Sequence, residues 1–213
     1  MAVGESEKNR KLSEAEQRRL RGFEQLQQGM AAQGYRCNEL TVSIVRANIV
    51  SMLAAIPVMV LGLGLFMVVN LNNDWGFGDG GWIVQIIELL VLVVVHEGIH
   101  GLTWSIFAPN HLSDIEFGFM KEYLTPYCTC KTPLAKWPYI AGALAPLVVL
   151  GIIPTVVAIA TGSFSLLVIG LIMILAAGGD MMIAWMILRH RATGSELLVL
   201  DHPTQAGSVV FER

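Results

Sequence analysis

Four long apolar segments, separated by polar punctuation, divide the chain at about residues 47–70, 82–108, 137–161 and 164–188. Each approaches or exceeds the roughly 20 residues that a helix needs to cross ~30 Å of hydrocarbon. Between the first two, "NLNNDWGFGDGG" is a turn-rich loop. Between the last two only "TGS" remains, which demands a tight hairpin. In the loop 109–136, "DIEFGF" alternates Ile115, Phe117 and Phe119 with Asp114, Glu116 and Gly118, the period of a short strand, and "PYCTC" follows it. Upstream, Ser13-Glu14-Ala15-Glu16 has the S-x-x-E form of a capping box. Leu20, Phe23, Leu26 and Met30 then recur at helical spacing, which fits a helix lying on the membrane or on the protein, or a solvated helical arm. The ending "LDHPTQAGSVVFER" reads as a tail with one brief strand. The pattern predicts an all-α polytopic membrane protein, with four transmembrane helices and a short cytoplasmic β-hairpin between the second and third. Its parts are an arm (1–45) with an amphipathic helix, a membrane domain (46–190) and a tail (191–213).

Composition supports the membrane reading, since 54% of the 213 residues are apolar, 15% are charged and the mean hydropathy is +0.59. A net charge of −3 without a long basic run argues against a nucleic-acid partner and leaves the lipid bilayer as the first one. Cys37, Cys128 and Cys130 are too few for a disulfide framework and read as reduced thiols. Twelve of the fourteen lysines and arginines fall in the arm, the 109–136 loop and the tail, and the other two, Arg46 and Arg189, stand at the span ends beside the arm and the tail. The positive-inside rule therefore places both termini and that loop in the cytoplasm, on a multi-pass protein of the cell membrane. The first forty residues hold no apolar stretch of signal-peptide type, so the first span is expected to act as the targeting signal. Trp82 and Trp137, at span ends, read as interface anchors. Tyr123, Tyr127 and Tyr139 read the same way, although any of them is also a candidate oxyanion donor. Pro146 and Pro154 interrupt the third span and predict a kink.

Inside the second apolar segment stands "VVVHEGIHGL". A carboxylate at membrane depth costs at least ~2.5 kcal/mol on insertion scales, so such a residue marks a site by default. His96-Glu97-Gly98-Ile99-His100 is H-E-x-x-H. Histidines four apart sit one above the other on a helix face and can share a zinc ion, while the glutamate on the flank is placed to take a proton from water rather than to ligate. The bland alternative is a polar knot that joins helices without metal.

A catalytic zinc generally has three protein ligands, so a third must be found. Thr103 and Ile106 stand where the metzincin extension needs Gly and His, which leaves His111, the acids of the middle loop, Glu88 and Asp180. Depth separates them: Trp82 to His96 spans about 21 Å of helix and Ser165 to Asp180 about 22 Å, both from the same outer face. Asp180 thus reaches the level of the histidines, whereas Glu88 lies about one turn below the outer surface, and His111, beyond the helix end, is a distant second choice. Ala176, Ala177, Gly178 and Gly179 would let the fourth helix approach the second closely.

An intramembrane H-E-x-x-H with an aspartate on a later helix resembles the site-2 protease type of membrane metalloprotease. The order H-E-x-x-H, "FGF", "TPYCTCKTPL", "ALAP" and "GD" (179–180) is similar, over about residues 85–190, to a family of bacterial integral-membrane zincin peptidases. Site-2 proteases carry Asp-Gly with a nearby Asn-x-x-Pro, and here Met181 follows Asp180 and no such Asn occurs. The expected function is a zinc-dependent intramembrane peptidase that cuts a membrane-associated protein or peptide near the cytoplasmic face. It would use Glu97 as catalytic base and one zinc per chain on His96, His100 and Asp180. The competing reading is a non-catalytic metal-binding membrane scaffold or sensor. A metal transporter is weaker, because below His100 the helix offers mainly Thr103, Trp104 and Ser105 to a conducting path.

Overall fold

The protein is described from a computed structural model covering residues 12–73, 75–77, 81–120 and 125–213. Helix α1 (Glu14–Ala32) begins at the predicted capping box: the Ser13 hydroxyl accepts from the Glu16 N–H, and the Glu16 carboxylate accepts from the Ser13 N–H at 2.9 Å. Strand β1 (Arg36–Thr41) leads into helix α2 (Ile44–Val69), whose first turn is capped by Ser43. Helix α3 (Gly81–Phe107) carries the H-E-x-x-H. After a short 3₁₀ turn, His111–Asp114, come β2 (Ile115–Met120), β3 (Thr125–Cys130) and the two-residue β4 (Leu134–Ala135).

The third apolar segment runs as α4 (Lys136–Pro146), a wide π-helical turn at Leu147–Ile152, and α5 (Ile153–Thr161). The two prolines therefore bracket a loosened turn: each lacks the N–H of a normal helical hydrogen bond, and the chain widens between them. Gly162, at φ +74°, closes α5 in the left-handed conformation that the short "TGS" link requires. Helices α6 (Phe164–Ala176) and α7 (Gly178–Arg189) follow, then β5 (Leu197–Asp201) and β6 (Gly207–Glu212).

Among the described residues, Val45–Val69, Gly81–Phe107 and Lys136–Thr161 are long and apolar enough to cross a membrane. Helices α6 and α7, bent by 44° at Ala177, make a fourth such span if counted as one. Trp82 and Trp137 are about two thirds exposed, at 64% and 67%.

Of the small residues before Asp180, Gly178 meets a different neighbour from the one expected. A Cβ on Gly178 would lie 2.5 Å from Ser51 Cβ, and the Ser51 hydroxyl donates to the Gly178 carbonyl at 2.7 Å. The close approach is thus to α2, whose serine adds a hydrogen bond to that carbonyl.

The predicted hairpin is β2–β3, antiparallel, with Phe117 opposite Cys128. It lies against α3 at Gly101, where a Cβ would come within 2.9 Å of both Phe117 and Ile115. The all-α description needs correcting at the other end of the chain. The tail forms two strands rather than one, and they join a four-stranded antiparallel sheet in the order β1-β6-β5-β4. β6 is its buried centre, pairing with β1 of the arm on one side and β5 on the other. α1 packs on this sheet through Phe23 and Met30, against Leu200, Val209 and Phe211, so it is neither a solvated arm nor a free surface helix.

One carboxylate fastens the tail. Glu212 accepts from the Thr193 N–H at 2.7 Å, the His190 ring at 2.6 Å and the Asn38 amide at 2.6 Å. The Thr193 N–H first, with its hydroxyl and His190 adding to it, lowers the Glu212 pKa from 4.5 to about 2, against the opposing effect of burial. A depressed carboxylate pKa stabilises the fold fully above the unfolded value, and that stabilisation is lost as pH falls from about 4.5 towards 2. Glu212→Gln is therefore expected to lower the thermal midpoint in detergent at pH 7 and to flatten its decline between pH 5 and 3. Thermal scans across that range check this.

Candidate metal centre

His96 and His100 lie on one face of α3, as their spacing requires, and both are buried, at 7% and 4% exposure. Their rings meet edge to face with centroids 4.8 Å apart. Asp180, in the first turn of α7, stands opposite: its Oδ2 is 3.2 Å from His96 Nε2 and its Oδ1 is 3.5 Å from His100 Nε2. One potential ligand atom from each of the three residues falls within a mutual 4.8 Å, and among the described residues no other group of histidine, cysteine and carboxylate side chains gathers so closely. Glu88 is exposed on α3 outside this group. His111 is also outside it, with Nδ1 3.0 Å from the Ser105 carbonyl oxygen.

The His100 ring is fixed from behind. Its Nδ1 lies 2.9 Å from the Gly142 carbonyl oxygen, which can only accept, so Nδ1 carries the hydrogen. A neutral His100 then turns the lone pair of Nε2 towards a carboxylate oxygen. Two acceptors face each other there, and either a proton on Nε2 or a cation between the two resolves the conflict. Donation of the second ring N–H to a backbone carbonyl is also how ligating histidines are habitually oriented. Among the described residues, His96 Nδ1 is buried without a hydrogen-bond partner. Two imidazoles and a carboxylate suit a divalent cation such as zinc and leave a position for water. The donor set therefore fits the metal.

Below the histidine, an aromatic stack holds the ring in place. His100 lies on Trp104, with centroids 5.2 Å apart and planes 17° from parallel, and Trp104 lies on Tyr139 at 5.5 Å. The Trp104 indole N–H donates to the Tyr139 carbonyl at 3.0 Å. Gly142 allows this, because a Cβ there would sit 2.1 Å from the indole ring. Gly142→Ala should therefore displace both Trp104 and the carbonyl that orients His100. The expected cost is about 1–3 kcal/mol, as for overpacked cores, together with weakened metal affinity. Thermal midpoint and zinc titration check the two effects separately.

A cavity of about 130 Å³ beside the triad is lined by Glu97, His100, Asp180, Cys128, Tyr139 and Asp201 among others. Glu97 thus shares a space with two of the candidate ligands without joining their group, and its carboxylate accepts from the Cys128 backbone N–H. Burial, reinforced by the Glu97 and Asp201 charges, pushes the Cys128 thiol far up, which makes it an inert neutral wall.

Two residues were misjudged or missed in the sequence. Tyr139 is no interface anchor: it is 1% exposed and its hydroxyl donates to Asp201. Tyr123 lies outside the described residues, and Tyr127 sits beneath the Arg19 guanidinium, 4.3 Å from its ring centroid. Asp201 comes from β5 in the tail and also accepts from the Thr129 hydroxyl at 2.7 Å. Burial raises its pKa, against the lowering donated by Tyr139, Thr129 and the Cys130 N–H. Nothing in "LDHP" signals that role, since Asp201 reaches the cavity only through the pairing of β5 with β4 and β6.

Comparison with known proteins gives one family match. Residues 89–193 match the model of a family described as "Putative zincin peptidase", a span that includes all three candidate ligands and Glu97. No curated protein and no solved structure matches the chain.

Proposed function

We propose, from the zincin peptidase family that residues 89–193 match, that the protein is a zinc-dependent peptidase working within the membrane. The observation that carries this reading is the convergence of His96, His100 and Asp180 from two helices, with Glu97 in the adjoining cavity. His96 and His100 would hold the zinc through Nε2 and Asp180 through its carboxylate, one ion per chain. A zinc ion bound there supplies Lewis acidity, which acidifies water and polarises a carbonyl. Glu97 takes the proton of the attacking water and returns it to the leaving amine. The Gly142 carbonyl holds His100 in its ligating tautomer, and the Trp104–Tyr139 stack keeps bulk water from its back.

In this reading α6 and α7 form a fourth span, and the termini, the β2–β3 hairpin and the sheet lie in the cytoplasm. That orientation rests on the distribution of lysine and arginine. Cleavage then falls near the inner face of the cell membrane, and the hairpin offers a strand edge to an extended substrate backbone. The test is hydrolysis of a fluorogenic peptide by the purified, zinc-loaded protein in nanodiscs. Zinc-dependent turnover supports the reading, and no turnover with any of a broad peptide library removes it.

A further inference from the structure

A second and larger cavity lies outside the apolar spans. It measures about 910 Å³, and its walls come from α1, from strand β3 and from the segment joining β5 to β6. Among the described residues, only Asn48 and the start of α7 contribute from the apolar helices. Its inner end is formed by Cys128, Asp180, Ile183 and Asp201, four residues that also line the small cavity holding Glu97 and His100. The groove and the small cavity therefore share a wall, to which Asp180 of the candidate metal centre belongs.

Its lining identifies the occupant by chemistry. Arg18, Arg19 and Lys131 share the lining with Glu116 and with apolar Phe23 and Leu26. An acyl chain or a transmembrane helix would meet charges of both signs here and lose apolar contact, at the high cost of desolvating them. An extended polypeptide carries the same mixture of side chains, together with a backbone that needs polar partners. The volume lies in the upper part of the range for ligand-binding clefts. The roof is held in place: Phe23 packs on Phe211 and His202, and Arg19 bridges from α1 to the ring of Tyr127 on β3.

We infer that this groove receives an unstructured, extramembrane segment of the substrate polypeptide and leads it to Asp180 and Glu97, so that the substrate class is a flexible juxtamembrane or soluble chain rather than a membrane-embedded helix. The inference rests on the peptidase reading for what happens at the inner end. It stands apart from that reading for what the groove binds.

The test is site-specific photocrosslinking with the full chain in nanodiscs, in a Glu97→Gln background so that nothing is consumed. A photoreactive phenylalanine replaces Gly22, Gln205 or Val60 in turn. Gly22 and Gln205 line the groove, a Cβ on Gly22 meets nothing within 4 Å, and Val60 is 65% exposed on the apolar face of α2. The probes are β-casein, an unstructured soluble polypeptide, and a single-span polyleucine helix in the same nanodisc. Saturable capture of β-casein at 22 and 205, at least tenfold above capture at 60, is expected. Capture of the helix at 22 and 205, or β-casein capture no greater there than at 60, overturns the inference. A companion variant, Gly22→Trp, should raise KM for β-casein hydrolysis at least tenfold while zinc content is unchanged. If the protein hydrolyses nothing yet captures β-casein in the groove, the peptidase reading fails alone. If hydrolysis proceeds with KM unmoved by Gly22→Trp and no groove capture is seen, the groove fails alone.

Discussion

Replacing Glu97 by glutamine is expected to lower peptide hydrolysis by about 10²- to 10⁴-fold, the span that a positioned general base contributes, while zinc still binds at one ion per chain. Glutamine keeps the shape of the side chain and one oxygen to accept from the Cys128 N–H, but it cannot act as a base. Glu97 lines the cavity beside His100 and Asp180, yet contributes no atom to the three-residue group. A ligand would take the metal with it when replaced, and a base would not. Single-turnover hydrolysis and zinc content measured on the same preparation separate the two roles. The variant also distinguishes an enzyme from a metal-binding scaffold or sensor, for which a base beside the ligands has no use. Unchanged hydrolysis in Glu97→Gln would remove Glu97 from the chemistry.

The parts of this arrangement legible in the sequence were those governed by local periodicity. Four apolar segments, the capping box at Ser13 and the alternation in "DIEFGF" each state their structure within a window of a few residues, and the observed helix and strand bounds fall close to them. The meeting of Asp180 with His96 and His100 was legible for a related reason: helix rise is constant, so two helices that start from one face can be compared by depth. Depth gives level but not azimuth, which is why the role of Gly178 was assigned to the wrong neighbour. Level alone could not show that Gly178 meets Ser51 of α2.

What local pattern cannot carry is pairing between distant segments. Strand β1, "RCNELT", has little apolar alternation, and it is a strand because β6, some 170 residues later, lies beside it from Arg36↔Glu212 to Thr41↔Gly207. The same pairing makes a central strand out of what read as a short tail, since β6 is buried along its whole length. Through that sheet Asp201 and Tyr139 meet, and the arm helix comes to roof a groove ending at Asp180. The local signals for β5 and β6 were two short apolar runs, "LLVL" and "VVF", separated by "DHPTQAGS". Runs that short do not reveal their partners.

Zinc is expected to raise the thermal midpoint of the purified, chelator-stripped protein, and this shift should vanish in His96→Ala, His100→Ala and Asp180→Ala. A ligand present at a hundred times its dissociation constant and bound only to the folded state contributes about 2.7 kcal/mol. For a domain of this size that corresponds to roughly 5–10 °C. The comparison must be the zinc-induced shift against each variant's own metal-free midpoint, because Asp180 also pairs with both imidazoles directly and its loss changes the baseline. Glu97→Gln and Cys128→Ser, altered in the cavity wall but not in the three-residue group, should keep the full shift. Such a division among five single variants is hard to obtain from general destabilisation, which would track each variant's baseline rather than its place in the triad. A shift retained in Asp180→Ala would show that the carboxylate is a structural partner of the two histidines. The metal's third ligand would then have to be sought elsewhere along the cavity, where the tail contributes Asp201.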